Sequence, residues 1–338
     1  MADMNDIVRV AVDAYNGNVT KYSVGDSMQL LHEALVQANG GSTTMDVRAV
    51  RDGKCQGVFA LLEQIIPRTV VGGLQGDEYF NALVEFRNVE AGDKNVFEVE
   101  DFDLFYISEA AEGTQGIRRQ RLGGSTQFSL NTSYKVVKIY EELNRVLAGR
   151  VDFNHFISKV SESFRRKLLD DIYTLWANAT TADFGGATYF PTAGSYDEAE
   201  LLELIEHVEA AANGKPATII GTKTALRNLA PSIQGDQSKS DLYNMGYYGK
   251  FYGSNVVALP QRHKLNSTEF IFDPNMIHVI AGDDKPIKCV YEGQALILPG
   301  DPMQKADFTQ EYLYGEKYGL GLVMANGNSG IGRYKMGA

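Results

Sequence analysis

The 338 residues read as an α+β protein. One long amphipathic helix is followed by a small strand–helix–strand lobe and then by two long strand-like stretches, so helices and strands segregate along the chain. Thirty-four glycines against nine prolines point to tight turns and strands, not to a disordered linker. With 44% apolar residues the chain can bury a sizeable core, in one large domain or two intertwined ones.

From the N-terminus, residues 1–66 read as an arm with local elements. Met28, Leu31, Leu35 and Ala38 fall at helical spacing, after an Asp26 or Ser27 cap and before Gly40-Gly41. The apolar run Val58 to Ile66 is expected to end at Pro67, and a short helix to follow from Asp77 to Phe86.

Charge is segregated over the next stretch. Residues 96–112 hold Glu98, Glu100, Asp101, Asp103, Glu109 and Glu112 and no base, whereas residues 113–140 hold Arg118, Arg119, Arg121, Lys135 and Lys138 and no acid. Phe102, Leu104 and Tyr106, then Phe128, Leu130 and Val136, predict two extended arms. The segment reads as a long hairpin with a negative outgoing arm and a positive tip and return arm. Facing charges contribute only ~0.2–1 kcal/mol per pair, and a hairpin alone is marginal in water. It needs another surface to lie on, which implies oligomerisation.

The best helix begins after Asp152. Phe153, Phe156, Ile157, Val160, Phe164, Leu168, Leu169, Ile172, Leu175 and Trp176 recur at three- and four-residue steps. At ~1.5 Å per residue the helix is roughly 36 Å long. Burying ten such side chains contributes at most about 15–30 kcal/mol, which makes it the spine of the fold. A second helix starts at Ser195-Tyr196-Asp197-Glu198, a capping pattern, and closes at Asn213-Gly214. Its outer face carries six carboxylates from Asp197 to Glu209, so it is wet or meets something basic. Strand (Ala217–Gly221), helix (Thr222–Leu229) and strands over Asn255–Leu259, Glu269–Asp273 and Ile277–Ala281 follow. Lys288–Leu298 and Phe308–Met324 are the last two strand-like stretches.

The motifs of enzymes are missing. The sequence contains no HExxH, GxSxG or GxxxxGK[ST]. Gly319-Leu320-Gly321 lacks the third glycine of a dinucleotide loop and reads as a tightly packed strand. The five histidines stand singly, His207 with Glu203 and Glu206 being the nearest to a metal half-site. No catalytic, cofactor or metal residues are therefore expected. Cys55 and Cys289 are too few and too far apart for a disulfide framework or zinc ribbon, and read as buried thiols of a reducing compartment. The acidic N-terminus does not read as a signal peptide, and the longest uncharged stretch, Tyr318–Gly332, is too glycine-rich to span a membrane. A soluble, cytosolically made protein is expected. A net charge of −11 weighs against a free-standing nucleic-acid binder.

This order of parts resembles the major capsid proteins of tailed bacteriophages, whose fold is shared with encapsulins and the herpesvirus capsid floor. Thr218 to Arg227 resembles the axial-domain strand and short helix, Tyr252 to Pro260 the segment after it, and Gly315 to Gly321 the late strand returning along the spine. The resemblance implies an N-terminal arm with the start of the peripheral domain (1–95), an extended hairpin loop (96–140), the peripheral domain with its spine helix (141–190), an axial domain (191–300) and returning peripheral strands (301–338). It implies a spine core of Phe153, Phe156, Val160, Phe164, Leu168, Ile172 and Trp176. It also implies a virion protein, assembled in the bacterial cytoplasm into the hexamers and pentamers of an icosahedral shell around double-stranded DNA. Arg118, Arg119, Arg121, Glu98, Asp101 and Asp103 are the expected intersubunit contacts. Scaffolding, portal and decoration proteins are expected as separate partners, and the DNA as a non-specific one. The arm is expected to lack the long charged scaffolding leader of some family members, and the tip, residues 113–124, offers arginines but no lysine for covalent crosslinking. The alternatives are an encapsulin-like compartment, an α+β hydrolase, or another virion component such as a tail protein.

Overall fold

A computed structural model describes residues 4–16, 24–39, 41, 52, 56–75, 78–99, 105–113, 116–121, 124–142, 153–184, 186–229, 243–282, 285–300, 309–323 and 330–337. Helices α1 (Met4–Asn16), α2 (Val24–Ala38) and α3 (Gln56–Gln75) open the chain. They do not form the open arm expected of residues 1–66. Val8 and Ala11 of α1, Leu31 and Leu35 of α2, and Leu62 and Ile65 of α3 are buried in the main core with the spine helix. Small residues at helical spacing let α1 pack directly on α3.

Nor does Pro67 stop α3, which runs through it. An internal proline costs roughly 3 kcal/mol. Burial of Ile65, Ile66, Val70 and Leu74, at about 1.5–3 kcal/mol each, outweighs that. The Thr69 hydroxyl donates to the Ile65 carbonyl at 2.8 Å in the same turn.

Helix α4 (Glu78–Leu83) ends early and passes into strand β1 (Val84–Val89). The first sheet has the order β1-β10-β12-β11, with β4 also on β12. Its axis is β12 (Thr309–Leu322). One edge of β12 pairs antiparallel with β4 (Ser133–Glu142); the other takes β11 (Leu296–Pro299) and then β10 (Ile287–Glu292). Residues 133–140 are therefore sheet, not the return arm of a hairpin. Lys288–Leu298 is broken in two at Gly293, whose φ of 74° turns the chain.

The spine helix, α5 (Phe153–Ala177), lies against this sheet. Val160, Phe164, Leu168, Ile172 and Trp176 are buried in the main core. The side chains of Phe153 and Phe156 lie outside the described ones.

The second sheet has the order β5-β13-β9-β6-β8-β7, built from Thr192–Ala193, Ile331–Met336, Met276–Ile280, Thr218–Thr222, Ser254–Leu259 and Lys250–Phe251. Helix α6 (Glu198–Ala211) packs Leu201, Leu204, Ile205 and Val208 into its core. The Asp197 carboxylate caps α6 by accepting from the Ala199 and Glu200 amides, and Asn213 and Gly214, both at positive φ, end it. The short α7 (Lys223–Leu226) follows β6.

The strands sort between sheets differently from the expected segments. β10 and β11, expected with 191–300, pair in the first sheet, whereas β13, expected among the returning peripheral strands, pairs with β9 in the second. Sheet partners are set by non-local contacts, and the chain crosses between the two bodies more than once. Glu269–Asp273 makes no strand, only a bridge between His263 and Phe270.

The two bodies meet at the C-terminal end of α5. Arg333 of β13, 1% exposed, donates to the Trp176 carbonyl and, at 2.6 Å, to the Ala179 carbonyl. Its guanidinium carbon lies 3.8 Å from the Phe190 ring centre and 5.1 Å from that of Phe184. A cation at the negative end of a helix is favourable in itself. Beside it the Trp176 indole N–H donates to His278 Nδ1 of β9 at 2.8 Å. Burial, reinforced by Arg333, pushes the His278 pKa down to about 3, so the imidazole is the neutral acceptor.

Arg333→Ala is expected to lower unfolding stability by about 2–4 kcal/mol, since it orphans two buried carbonyls and removes charged hydrogen bonds. Urea denaturation of the variant measures this.

Candidate assembly interface

The hairpin of the sequence reading exists, with a shorter ladder than expected. β2 (Val96–Val99) pairs with β3 (Thr126–Ser129) in the register Val96 with Ser129 through Val99 with Thr126. The next rung is made by a side chain. Asn95 Nδ2 donates to the Leu130 carbonyl at 2.6 Å, and the Leu130 amide donates to Asn95 Oδ1 at 3.2 Å. Further out, the Tyr106 amide donates to Gln120 Oε1 at 2.8 Å and Gln120 Nε2 returns to the Tyr106 carbonyl at 2.7 Å. Two carboxamides thus copy backbone rungs, Asn95 extending the ladder at its base and Gln120 holding the arms together well beyond its outer end.

Side chains on the first sheet anchor the base. Phe97 is buried, with the Arg87 guanidinium 4.3 Å from its ring centre, and Arg87 donates to the Val96 carbonyl at 3.2 Å. Glu85 pairs with both Arg87 and Lys288. Burial raises the Glu85 pKa, but hydrogen bonds from Lys288 and Arg87 outweigh it and leave the carboxyl below its ordinary value. Glu292 accepts from Lys317 at 2.6 Å and from the Thr132 hydroxyl, which also lowers its pKa. Between these anchors lies an open polar cleft of about 520 Å³, lined by Asp93, Asn95, Ser129 and Glu292 among others.

After β3 the chain crosses over β12, and glycines make room for it. A Cβ at Gly319 would lie 2.6 Å from the Asn131 carbonyl oxygen, and one at Gly321 would collide with the Leu130 side chain. The tightly packed strand expected at Gly319-Leu320-Gly321 is thus the seat of the hairpin base.

The outer arms are exposed and carry apolar side chains. Phe105, Tyr106, Ile107 and Ile117 are open to solvent, Ile107 at 98%. Arg118, Arg119 and Arg121 follow Ile117, exposed and paired with no other described residue. Glu98 lies on β2 and accepts from the Ser125 hydroxyl. Asp101 and Asp103 fall outside the described residues. Among the described residues, the acids of the outgoing arm make no ion pair with Arg118, Arg119 or Arg121.

A second exposed apolar surface lies on the first sheet, on the face away from the spine helix. Tyr134, Val136 and Tyr140 of β4 point outward, while Val137 and Ile139 pack on the core. Across the strands, Val136 opposes Gly315, which opposes Leu296, and Lys138 opposes Leu313, which opposes Leu298. Directly opposed residues share a face. Leu296 and Leu298 are about half exposed, so the face is an apolar patch crossed by the Lys138–Glu311 ion pair. Patches of this kind mark interaction sites.

A family model described as "SPbeta prophage-derived putative capsid protein YonB" matches residues 4–323. The chain belongs to the YonB capsid family. Among solved structures it is similar to the mature capsid of bacteriophage PhiM1, at 10% identity over 76% of this chain and 86% of that one, with a TM-score of 0.51. Similarity extends to the capsid of cyanophage P-SCSP1u (12% identity, 78% and 88% coverage, TM-score 0.49) and to a virus-like particle from Pyrococcus furiosus (14%, 79% and 96%, 0.43). No curated protein matches. The fold is that of tailed-phage major capsid proteins, and the family match favours a phage capsid protein over the encapsulin alternative.

Other candidate residues of this YonB-family chain lie apart from the hairpin. His207 sits 3.8 Å from Glu203 on the exposed face of α6, and among the described residues no three metal-binding side chains cluster. Cys289 is a buried free thiol, pushed up to about 12 by burial; Cys55 lies outside the described residues. No described helix is long and apolar enough to cross a membrane. The carboxamide rungs and the outer sheet face were missed in the sequence. The face had one signal: in Tyr134–Tyr140 both alternating rows are largely apolar, the mark of a strand covered on both sides.

Gly319→Val is expected to cost about 1–3 kcal/mol, because a backbone carbonyl cannot yield to the new side chain. The same variant should raise hydrogen exchange at residues 95–99 and 126–132, where the hairpin is seated.

Proposed function

We propose that this capsid protein closes an icosahedral shell of hexamers and pentamers around double-stranded DNA, each hairpin lying on the outer sheet face of the next copy. One observation carries this reading: a single chain displays an exposed apolar hairpin and a separate exposed apolar sheet face. A contact between two different patches is heterologous and propagates from copy to copy, as rings and shells require. Arg118, Arg119 and Arg121 then reach acids of the neighbour, with Glu98, Asp101 and Asp103 among the carboxylates that answer them. Each exposed pair contributes only ~0–1 kcal/mol, so cohesion comes from apolar burial and repetition, and misplaced subunits can leave before closure.

The role is structural, not enzymatic. Assembly takes place in the bacterial cytoplasm, with scaffolding, portal and decoration proteins as separate partners. A net charge of −11 keeps the lining from gripping DNA, since phosphate binding scales with the charges neutralised.

Changing Arg118, Arg119 and Arg121 together to Glu is expected to leave the subunit folded, with unchanged circular dichroism, and to abolish closed particles in negative-stain micrographs. Normal shells from this variant would remove the hairpin arginines from the contact. A second variant, Val136→Asp with Leu298→Asp, tests the sheet face in the same assay and is likewise expected to yield soluble, unassembled subunits.

A further inference from the structure

The inward face of β12 carries a carboxyl for which neither fold nor shell contact accounts. Glu316 alternates there with Tyr314 and Tyr318 and is 1% exposed. The Tyr314 hydroxyl donates to Oε1, while Oε2 has no hydrogen-bond partner. The Tyr291 hydroxyl of β10, also without a geometric partner, lies close enough to act on the carboxylate. Tyr291 stacks on Tyr318 with ring centres 5.4 Å apart, and Phe164 of the spine helix meets Tyr314 edge-on at 5.0 Å.

The surrounding titratable and charged groups are known from each packed element. β10 supplies Tyr291 and the buried Cys289, and β12 supplies Tyr314 and Tyr318. From α5 comes Asp171, which accepts from the Tyr318 hydroxyl at 2.9 Å and is paired with Lys167. Glu63 of α3 acts on Tyr314 and accepts from the Ile297 amide. Lys135 of β4 lies over the Tyr318 ring, with Nζ 5.6 Å from its centre. Lys135 also stands opposite Glu316 in the β4–β12 register, but no Lys or Arg among the described residues makes an ion pair with it.

We propose that Glu316 is a proton-operated latch between the long strand and the spine helix. Protonated, it is a neutral member of a tyrosine cluster that fastens β12 to β10 and α5. Ionised, it is an anion in an apolar cage with one oxygen unsatisfied, and the packing of β12 loosens. Burial pushes its pKa up to about 7, against the hydrogen bond from Tyr314 and the nearby Tyr291 hydroxyl. The sign follows from proton counts. Between the ordinary carboxyl value of 4.5 and about 7 the folded chain holds a proton that the unfolded chain has lost, so stability falls as pH rises through that window. His278 acts oppositely, destabilising the fold as pH drops below 6.5, so only a comparison at matched pH isolates the latch.

The test compares the full chain with Glu316→Gln by thermal unfolding from about pH 5 to about pH 9, together with infrared spectra of the protonated-carboxyl band. The folding equilibrium of the wild type should fall relative to Glu316→Gln by on the order of a hundredfold across that range. A buried-carboxyl band should vanish from the wild type near neutral pH and be absent from the variant. Parallel pH curves, or a wild-type band already lost near pH 4.5, overturn the latch. Should the variant fail to fold, the wild-type band alone decides. These measurements use unassembled subunits, so they stand or fall independently of shell formation. A pH-dependent particle diameter, lost in Glu316→Gln, is the expectation that rests on the proposed function.

Discussion

Arg333 is the constraint on which the rest of the molecule depends. The second sheet shares part of the main core through Ile220, Leu259, Ile280 and Ile331, and the end of the long helix fixes its relation to the first sheet further. Placing a guanidinium against the last carbonyls of the spine helix, between two phenylalanine rings, does so without consuming a carboxylate from either core. The indole–imidazole hydrogen bond alongside adds direction, because it closes only when the helix is correctly rotated. The strand carrying Arg333 comes from the C-terminal end of the chain and is held in the second sheet by its pairing with β9.

The long strand β12 performs the corresponding task in the first sheet. Its inward side gathers Tyr312, Tyr314 and Tyr318 around one carboxyl and continues into Leu320 and Leu322; its outward side is thinned to glycine where the chain returning from the hairpin passes over it. One strand therefore fixes both the depth of the core and the place from which the hairpin springs. The two surfaces proposed to meet between copies are positioned from the same backbone, which keeps their relative geometry constant in every subunit.

Local signals made part of this readable. The spine helix and α6 were visible because periodicity and caps are encoded within a few residues: Phe164, Leu168, Ile172 and Trp176 in one, Asp197 and Asn213-Gly214 in the other. The hairpin was visible through segregated charge, though its return arm was extended into β4, since nothing local says that Tyr134–Tyr140 pairs with residues near 314. Sheet membership was hidden for the same reason, β13 and β10 each finding partners across a long sequence separation. Arg118, Arg119 and Arg121 were legible as exposed charge. Asn95 and Gln120 were not, because an amide that mimics backbone looks in sequence like any other polar surface residue.

Those two carboxamides have a mechanical meaning. A backbone rung is stiff, whereas a rung made from a side chain carries the torsions of that side chain, so the outer hairpin can swing through small angles with its cross-links intact. In the proposed shell, where copies would meet at slightly different angles, that freedom would let one set of bonds serve each neighbourhood by pivot instead of by refolding.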